Sequence, residues 1–97
     1  MLPLMKSIHT HAYRALLVWL RVNRRAHCLS MRQVGNRMGM SHSWVGKVET
    51  GERRLDVTEY IQLCRAIGVK SMQGIAIVEA ALSKSEAVKT YRPPGES

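Results

Sequence analysis

Cysteine is scarce in this sequence, and the long apolar runs of membrane-spanning proteins are absent. The 97 residues include two cysteines, Cys28 and Cys64, which are too few for a disulfide framework. The longest early apolar run, residues 16–20, lies between arginines, whereas a membrane-spanning helix needs about 20 apolar residues. The run is also too short for a signal peptide. We therefore expect a protein of the reducing cytoplasm with no membrane partner.

The residue patterns that catalysis and metal binding require are also missing. There is no glycine-rich phosphate loop and no nucleophile elbow. Four histidines are present. His9 and His11 are two residues apart and His27 adjoins Cys28, and neither spacing is that of a zinc-ligand pair. We therefore expect no enzymatic activity, no metal and no cofactor.

Acidic residues are few, and the basic excess is concentrated in the middle of the chain. The formal net charge is +8, and the segment from Arg14 to Arg54 contains nine Lys or Arg but only two acids. Such an excess favours a polyanionic partner. An RNA-binding module is one alternative, but aromatic residues are only 5% of the chain, and exposed aromatics are what stack single-stranded bases. The charge itself does not identify the polyanion, but its position coincides with the helix-turn-helix pattern of residues 30–51.

Residues 30–51, SMRQVGNRMGMSHSWVGKVETG, have the pattern of two short helices joined by a glycine turn. Ser30 and Gln33 have the spacing of a capping box, which marks the start of the first helix. Gly39 follows that helix and accepts the left-handed backbone that ends one. Ser41 then precedes the second helix as its cap. This arrangement predicts a helix-turn-helix unit that reads DNA.

The second of these helices has two different faces, because successive side chains are separated by about 100°. Val45, Val48 and Glu49 fall on one face, and small or polar residues fall on the other. From that outer face and the amino-terminal end of the helix, the candidate base-reading residues are His42, Ser43, Trp44, Gly46 and Lys47. Packing between the two helices is an equal alternative for Trp44, and phosphate contact is an alternative for Lys47.

Basic and polar residues flank the same helix. Phosphate contacts supply affinity, whereas base contacts supply sequence choice. The candidates for phosphate contact are Arg32, Gln33, Arg37, Thr50, Arg53 and Arg54. A solvated basic face is the alternative interpretation.

From about Leu17 to Val69 the chain resembles the Cro and phage-repressor type of helix-turn-helix domain, also called the xenobiotic-response-element (XRE) type. The resemblance rests on L-S at Leu29 and Ser30, V-G at Val34 and Gly35, M-G at Met38 and Gly39, S-x-S-x-V-G-K-V-E-x-G from Ser41 to Gly51, and L-x-x-A-I-G-V from Leu63 to Val69. It implies an all-α fold, a five-helix lambda-repressor-like helix-turn-helix domain with a C-terminal extension. It also implies that Arg24 and Glu49 form a largely buried ion pair.

The chain departs from this family at several positions. Met31 stands where the family often has a glutamine that contacts a phosphate, so that contact passes to Arg32 or Gln33 or is lost. Gly35 and Gly46 stand where alanine and serine are usual, and each mid-helix glycine costs about 1 kcal/mol relative to alanine. Close approach of the two helices would explain Gly35, and close approach of DNA would explain Gly46.

The pattern divides the chain into an N-terminal arm (1–10), the helix-turn-helix domain (11–70), a C-terminal helix (71–85) and a disordered tail (86–97). The C-terminal helix carries more apolar residues than packing onto four helices needs. We expect a homodimer interface there, formed by Met72, Ile75, Val78 and Leu82. The alternative is that these residues complete the core of the monomer.

Two functions remain open at this stage. The first is a sequence-specific transcriptional regulator, a repressor that inserts helix 42–50 into the major groove of double-stranded DNA. The alternative is an antitoxin-like module that binds a small protein partner and also regulates its own promoter.

Overall fold

The computed structural model describes the backbone of residues 3–90 and the side chains of residues 11–84, and this part of the chain is helical apart from its turns. The helices are α1 (Pro3–Ala26), α2 (Met31–Met38), α3 (His42–Thr50), α4 (Val57–Ile67) and α5 (Ser71–Thr90). The predicted all-α, five-helix fold is confirmed. No described helix has an apolar stretch long enough to cross a membrane.

The two terminal helices are longer than the sequence indicated. The arm predicted over residues 1–10 is wrong from Pro3 onward, because α1 begins there. Proline is well suited to the first position of a helix, since the N–H that it lacks would have no partner there. At the other end, α5 continues to Thr90, so the tail predicted from residue 86 is wrong as far as residue 90. Residues 86–90 include glutamate, alanine and lysine, which all have a high helix propensity. Residues 1–2 and 91–97 lie outside the described part.

Local capping explains the ends of α2 and the start of α3. Ser30 Oγ accepts a hydrogen bond from Gln33 N at 3.0 Å, and Gln33 Oε1 accepts one from Ser30 N at 2.8 Å. Gly39 ends α2 with a φ of 70°, which a side chain would disfavour. Ser41 Oγ then accepts a hydrogen bond from Trp44 N at 3.1 Å. These contacts form the predicted turn between α2 and α3.

The core lies between α1, α3 and α4, with α2 closing one side and α5 packed along α1. Its buried members are Leu16, Leu17, Leu20, Val34, Trp44, Val45, Val48, Tyr60, Leu63, Cys64, Ala66 and Ile67. Gly74 sets how closely α5 approaches α1. A Cβ at Gly74 would come closest to the Tyr60 hydroxyl of α4, and it would lie 2.7 Å from the Trp19 ring and 2.9 Å from Leu16 Cδ1 of α1. A larger residue would therefore push α5 away from both helices.

Candidate nucleic-acid interface

The close approach of α2 to the turn before α3 depends on Gly35. A Cβ at this position would lie 2.6 Å from the carbonyl oxygen of Met40 and 3.1 Å from that of Ser41. Both are backbone atoms, so the turn would have to move to make room for a side chain. Glycine at this position therefore lets α3 sit directly against α2, which fits the first explanation offered for it from the sequence.

The inner face of α3 anchors this helix in the core. Val45 and Val48 are fully buried, and Trp44 is 9% exposed. The interpretation of Trp44 as a base-reading residue is therefore wrong, because its ring lies inside the protein rather than on the outer face. Burial of its large apolar surface favours the packed position. Its Nε1 atom is buried and has no hydrogen-bond partner among the described residues.

The outer face of α3 is exposed to solvent. We call His42, Ser43, Gly46, Lys47 and Thr50 the outer strip of α3; four of them are exposed and Gly46 is partly exposed. The nearest described atom to a Cβ built on Gly46 would be Met31 Sδ, at 3.5 Å, which is an ordinary contact distance. The strip thus combines small and polar side chains with one lysine. This shape and chemistry suit close approach to base edges in a major groove.

An ion pair connects the end of α3 to α1. Arg24 Nε donates to Glu49 Oε2 at 2.5 Å and Arg24 Nη2 donates to Glu49 Oε1 at 3.0 Å. The two side chains are 7% and 8% exposed. Arg24 Nη1 also donates to the carbonyl oxygen of Leu29 at 2.8 Å, so the guanidinium joins α1, the following turn and α3. Since the Glu49 charge is compensated inside the protein, it adds little repulsion toward a polyanion.

At the amino-terminal end of α2, Arg32 and Gln33 are both exposed. The Gln33 oxygen is occupied by the capping box with Ser30, which leaves its amide N–H groups to donate to a ligand. Met31 is partly buried and packs against the core. Arg32 is the charged residue at this end of α2, and its contact with a phosphate stays a prediction.

Arg53 and Arg54, although adjacent, have different surroundings. Arg53 Nη2 donates to Glu59 Oε2 at 2.5 Å, and its Cζ lies 5.8 Å from the centre of the Trp44 ring in α3. Arg54 instead lies over the ring of Tyr13 in α1, 4.7 Å from its centre. Arg53 thus flanks α3, whereas Arg54 packs on α1. Phosphate contact by either residue stays a prediction.

Arg37 and Thr50, also predicted to contact phosphate, both bind within the protein. Arg37 Nη1 donates to the carbonyl oxygen of Ala66 at 2.7 Å, so it caps the carboxyl end of α4. This placement does not support a phosphate contact. Local sequence patterns could not reveal it, because the two residues are 29 positions apart. Thr50 Oγ1 lies 3.1 Å from the carbonyl oxygen of Lys47 and 3.2 Å from Glu52 Oε2. Thr50 as a residue is exposed.

The predicted dimer residues lie together in one groove of the surface. An apolar groove of about 440 Å³ runs between α1, α4 and α5, and we call it the α1–α4–α5 groove. Its lining includes Met72, Ile75, Val78 and Leu82 from α5, with Tyr13, Leu16, Leu55, Val57 and Ile61 from the neighbouring segments. Met72 is 72% exposed. Ile75 is also exposed, whereas Val78 is partly buried and packs against the core. The dimer interface therefore stays a prediction.

Comparison with known proteins agrees with this geometry. Residues 14–72 match the family of helix-turn-helix domains. A solved structure described as an XRE-family like protein from Pseudomonas syringae pv. tomato str. DC3000 is 38% identical to the chain, with a TM-score of 0.75. The match covers 78% of this chain and 93% of that one. Among curated proteins, none matches. The chain thus belongs to the XRE family of helix-turn-helix DNA-binding proteins.

Proposed function

We propose that this protein is a sequence-specific transcriptional repressor that occupies an operator by inserting α3 into the major groove of double-stranded DNA. The observation that supports this most strongly is the outer strip of α3. It is exposed while the opposite face of the same helix is buried in the core and tied to α1 through Arg24 and Glu49. A helix held rigidly on one side and uncovered on the other is what reading base edges requires.

The outer strip of α3 and the residues beside it would make two kinds of contact with DNA. Lys47 and Ser43 carry the base contacts in this proposal, with Lys47 donating to guanine O6 or N7. His42 and Gly46 lie beside them, where the absence of a side chain at Gly46 permits close approach. Phosphate contacts come from the flanking Arg32 and Arg53 and from the hydroxyl of Thr50, and they orient the domain without reading sequence.

We also propose that the repressor is a homodimer that buries the α1–α4–α5 groove against a second copy. Met72, Ile75 and Val57 leave apolar surface exposed at this groove, and burying it is favourable at roughly 25 cal/mol per Å². Two-fold symmetry would present two copies of α3 to half-sites about one helical turn apart.

The direct test of the repressor proposal is selection of bound duplexes from a random pool, followed by titration at several salt concentrations. The proposal expects one symmetric sequence to be enriched and its affinity to fall steeply with salt. Enrichment of no sequence, or equal competition by single-stranded RNA, would remove the proposal.

The dimer is tested by sedimentation equilibrium of the wild-type protein and of Met72→Lys. Since Met72 is largely exposed, the substitution leaves the fold intact and places a charge in the proposed interface. Val22→Lys is the matched control, because Val22 is an exposed apolar residue of α1 that is not part of the groove lining. The proposal expects Met72→Lys alone to be monomeric. A wild-type monomer at high micromolar concentration would remove it.

The same groove supports a second candidate function, that of an antitoxin-like module. Its apolar lining also suits the helix of a small protein partner. Stoichiometric co-purification of such a partner from the native host, lost in Met72→Lys but kept in Val22→Lys, would favour this function over homodimerisation.

A further inference from the structure

The carboxylate of Glu59 has two roles at the start of α4. Glu59 Oε1 accepts a hydrogen bond from Asp56 N at 3.0 Å, and Asp56 Oδ1 accepts one from Glu59 N at 2.7 Å, which together form a capping box. Glu59 Oε2 is the oxygen that binds Arg53. One oxygen therefore fixes the carboxylate to the helix end, and the other holds the arginine. A capping box needs only the first of these contacts.

Arg53 is held from two further directions. Its backbone N–H donates to the carbonyl oxygen of Lys47 at 3.1 Å, which ties the loop to the last turn of α3. Its guanidinium faces the ring of Trp44, which is buried in the core. The side chain nevertheless remains 44% exposed, and the other N–H groups of its guanidinium have no partner among the described residues. Arg53 is thus held in place by its backbone, by Trp44 and by Glu59, while part of its side chain stays exposed.

From this geometry we infer that Glu59 is a positioning residue for DNA binding: it holds Arg53 beside α3 so that the free donors of the guanidinium meet a backbone phosphate. The inference rests on the proposed function. An arginine that is ordered before binding loses less side-chain freedom when it contacts a phosphate. Glu59 acts through Arg53 and does not itself touch the DNA.

A simple electrostatic view makes the opposite prediction. A carboxylate close to a DNA backbone repels it, so removal of the Glu59 charge would tighten binding. If Glu59 positions Arg53, removal of the charge instead weakens binding, because the arginine becomes free to move. The sign of the change in affinity therefore distinguishes the two views.

Glu59→Gln is the substitution that separates the two roles of this side chain. Gln33 already closes a capping box at the equivalent position of α2, so a glutamine retains the cap of α4. The single oxygen of this glutamine then accepts the hydrogen bond from Asp56 N. Its amide N–H groups face the guanidinium of Arg53, and because both groups are donors they cannot form a hydrogen bond with each other. Thermal unfolding followed by circular dichroism checks that the fold is retained.

The affinity of wild type, Glu59→Gln, Arg53→Gln and the double variant for the selected duplex forms a double-mutant cycle. We expect Glu59→Gln to weaken binding about two- to tenfold in the wild-type background. It should also reduce the log–log salt slope by up to about 0.9, the contribution of one phosphate contact. In the Arg53→Gln background, Glu59→Gln should cause no further loss of affinity. Unchanged or tighter binding by Glu59→Gln, or an equal loss in both backgrounds, would overturn the inference.

Arg53→Lys provides a second variant that leaves Glu59 untouched. Lysine keeps the positive charge but lacks the planar fork that Trp44 and Glu59 hold, so we expect affinity to fall while the net charge is unchanged. Wild-type affinity in Arg53→Lys would count against the inference. If the wild-type protein selects no duplex, the proposed function fails and the inference fails with it, whereas wild-type binding that Glu59→Gln leaves intact removes the inference alone.

Discussion

Arg24 in α1 and Glu49 near the end of α3 form a two-point ion pair that is almost completely shielded from solvent. The pair holds the carboxyl end of α3 against α1, while Val45 and Val48 hold the middle of the helix in the core. The exposed strip on the other side of α3 is therefore supported along its length. A DNA-reading helix needs this rigidity because its side chains must meet base edges in one register.

Removal of one partner of this ion pair should destabilise the folded protein. Glu49→Ala leaves the Arg24 guanidinium buried without its counter-charge, and we expect the free energy of unfolding to fall by about 3 to 5 kcal/mol. Urea denaturation measures this change. Glu79→Ala is the control, since Glu79 is exposed on α5 and its replacement should change stability by less than about 0.5 kcal/mol. Similar small effects of both substitutions would show that the pair contributes little.

The two glycines that stand where the family has larger residues should respond differently to alanine. At Gly35 the added Cβ meets backbone atoms of the turn, and we expect a loss of about 1 to 3 kcal/mol in the free energy of unfolding. At Gly46 the space is open apart from an ordinary contact with Met31, and alanine should stabilise α3 by up to about 1 kcal/mol.

DNA affinity provides a second measurement for the Gly46 variant. Gly46→Ala should bind the selected duplex more weakly despite its higher stability, because its methyl group occupies space that the proposal gives to DNA. A Gly46→Ala protein with greater stability and unchanged affinity would show that DNA does not approach this position closely.

The stability of the protein should decrease in alkaline solution because of Tyr60. Burial, with a smaller contribution from its contact with Cys64, raises the pKa of Tyr60 far above the ordinary value, which is about 10. The folded state therefore keeps a proton that the unfolded chain releases. This stabilising contribution is complete below pH 10 and is lost progressively as the pH rises above it, at up to about 1.4 kcal/mol per pH unit.

Denaturant unfolding at pH 8, 10 and 11 measures this loss, with Tyr60→Phe as the comparison. The phenylalanine variant lacks the hydrogen bond from Tyr60 to the carbonyl oxygen of Ser71, so it should be less stable at pH 8 but less sensitive to high pH. Burial also raises the pKa of the Cys64 thiol, so some alkaline sensitivity should remain. An unchanged pH dependence in Tyr60→Phe would contradict this assignment.

Lys47 and Arg32 should have distinct roles in DNA binding, although each contributes one positive charge. Lys47→Ala should lower affinity for the selected duplex and relax the preference at one base pair, with a loss of discrimination of about 1 to 3 kcal/mol. Arg32→Ala should weaken binding to selected and unrelated duplexes by a similar factor. Titrations of single-base-pair variants of the site make the comparison. This division of roles is wrong if each substitution changes the affinity for all duplex sequences by the same factor.

Local sequence signals were sufficient to predict the turn between α2 and α3. The capping residues Ser30 and Ser41 and the left-handed Gly39 act on backbone groups within three residues, so their effect can be recognised without the fold. The alternation of faces along α3 also follows from helical spacing, because Val45 and Val48 are buried while Ser43 and Lys47 are exposed.

Features that depend on distant residues were not predictable in this way. Arg37 has its hydrogen-bond partner in α4, and Gly74 allows α5 to pack closely against α1 and against Tyr60 of α4. Trp44 lies close to the boundary between the two faces of α3, and its burial is decided by the space that the loop and core leave for it. The contact between Arg53 and Glu59 likewise joins a loop to the first turn of α4.

Amide chemical shifts, measured by NMR while the selected duplex is added, show which face of the protein meets DNA. If the outer strip of α3 enters the major groove, the largest shifts should fall on Ser43, Gly46, Lys47 and the adjacent Arg53. Residues of the α1–α4–α5 groove, such as Met72 and Ile75, should shift little. Shifts concentrated at Met72 and Ile75, with the outer strip of α3 unchanged, would show that α3 is not the DNA-reading helix.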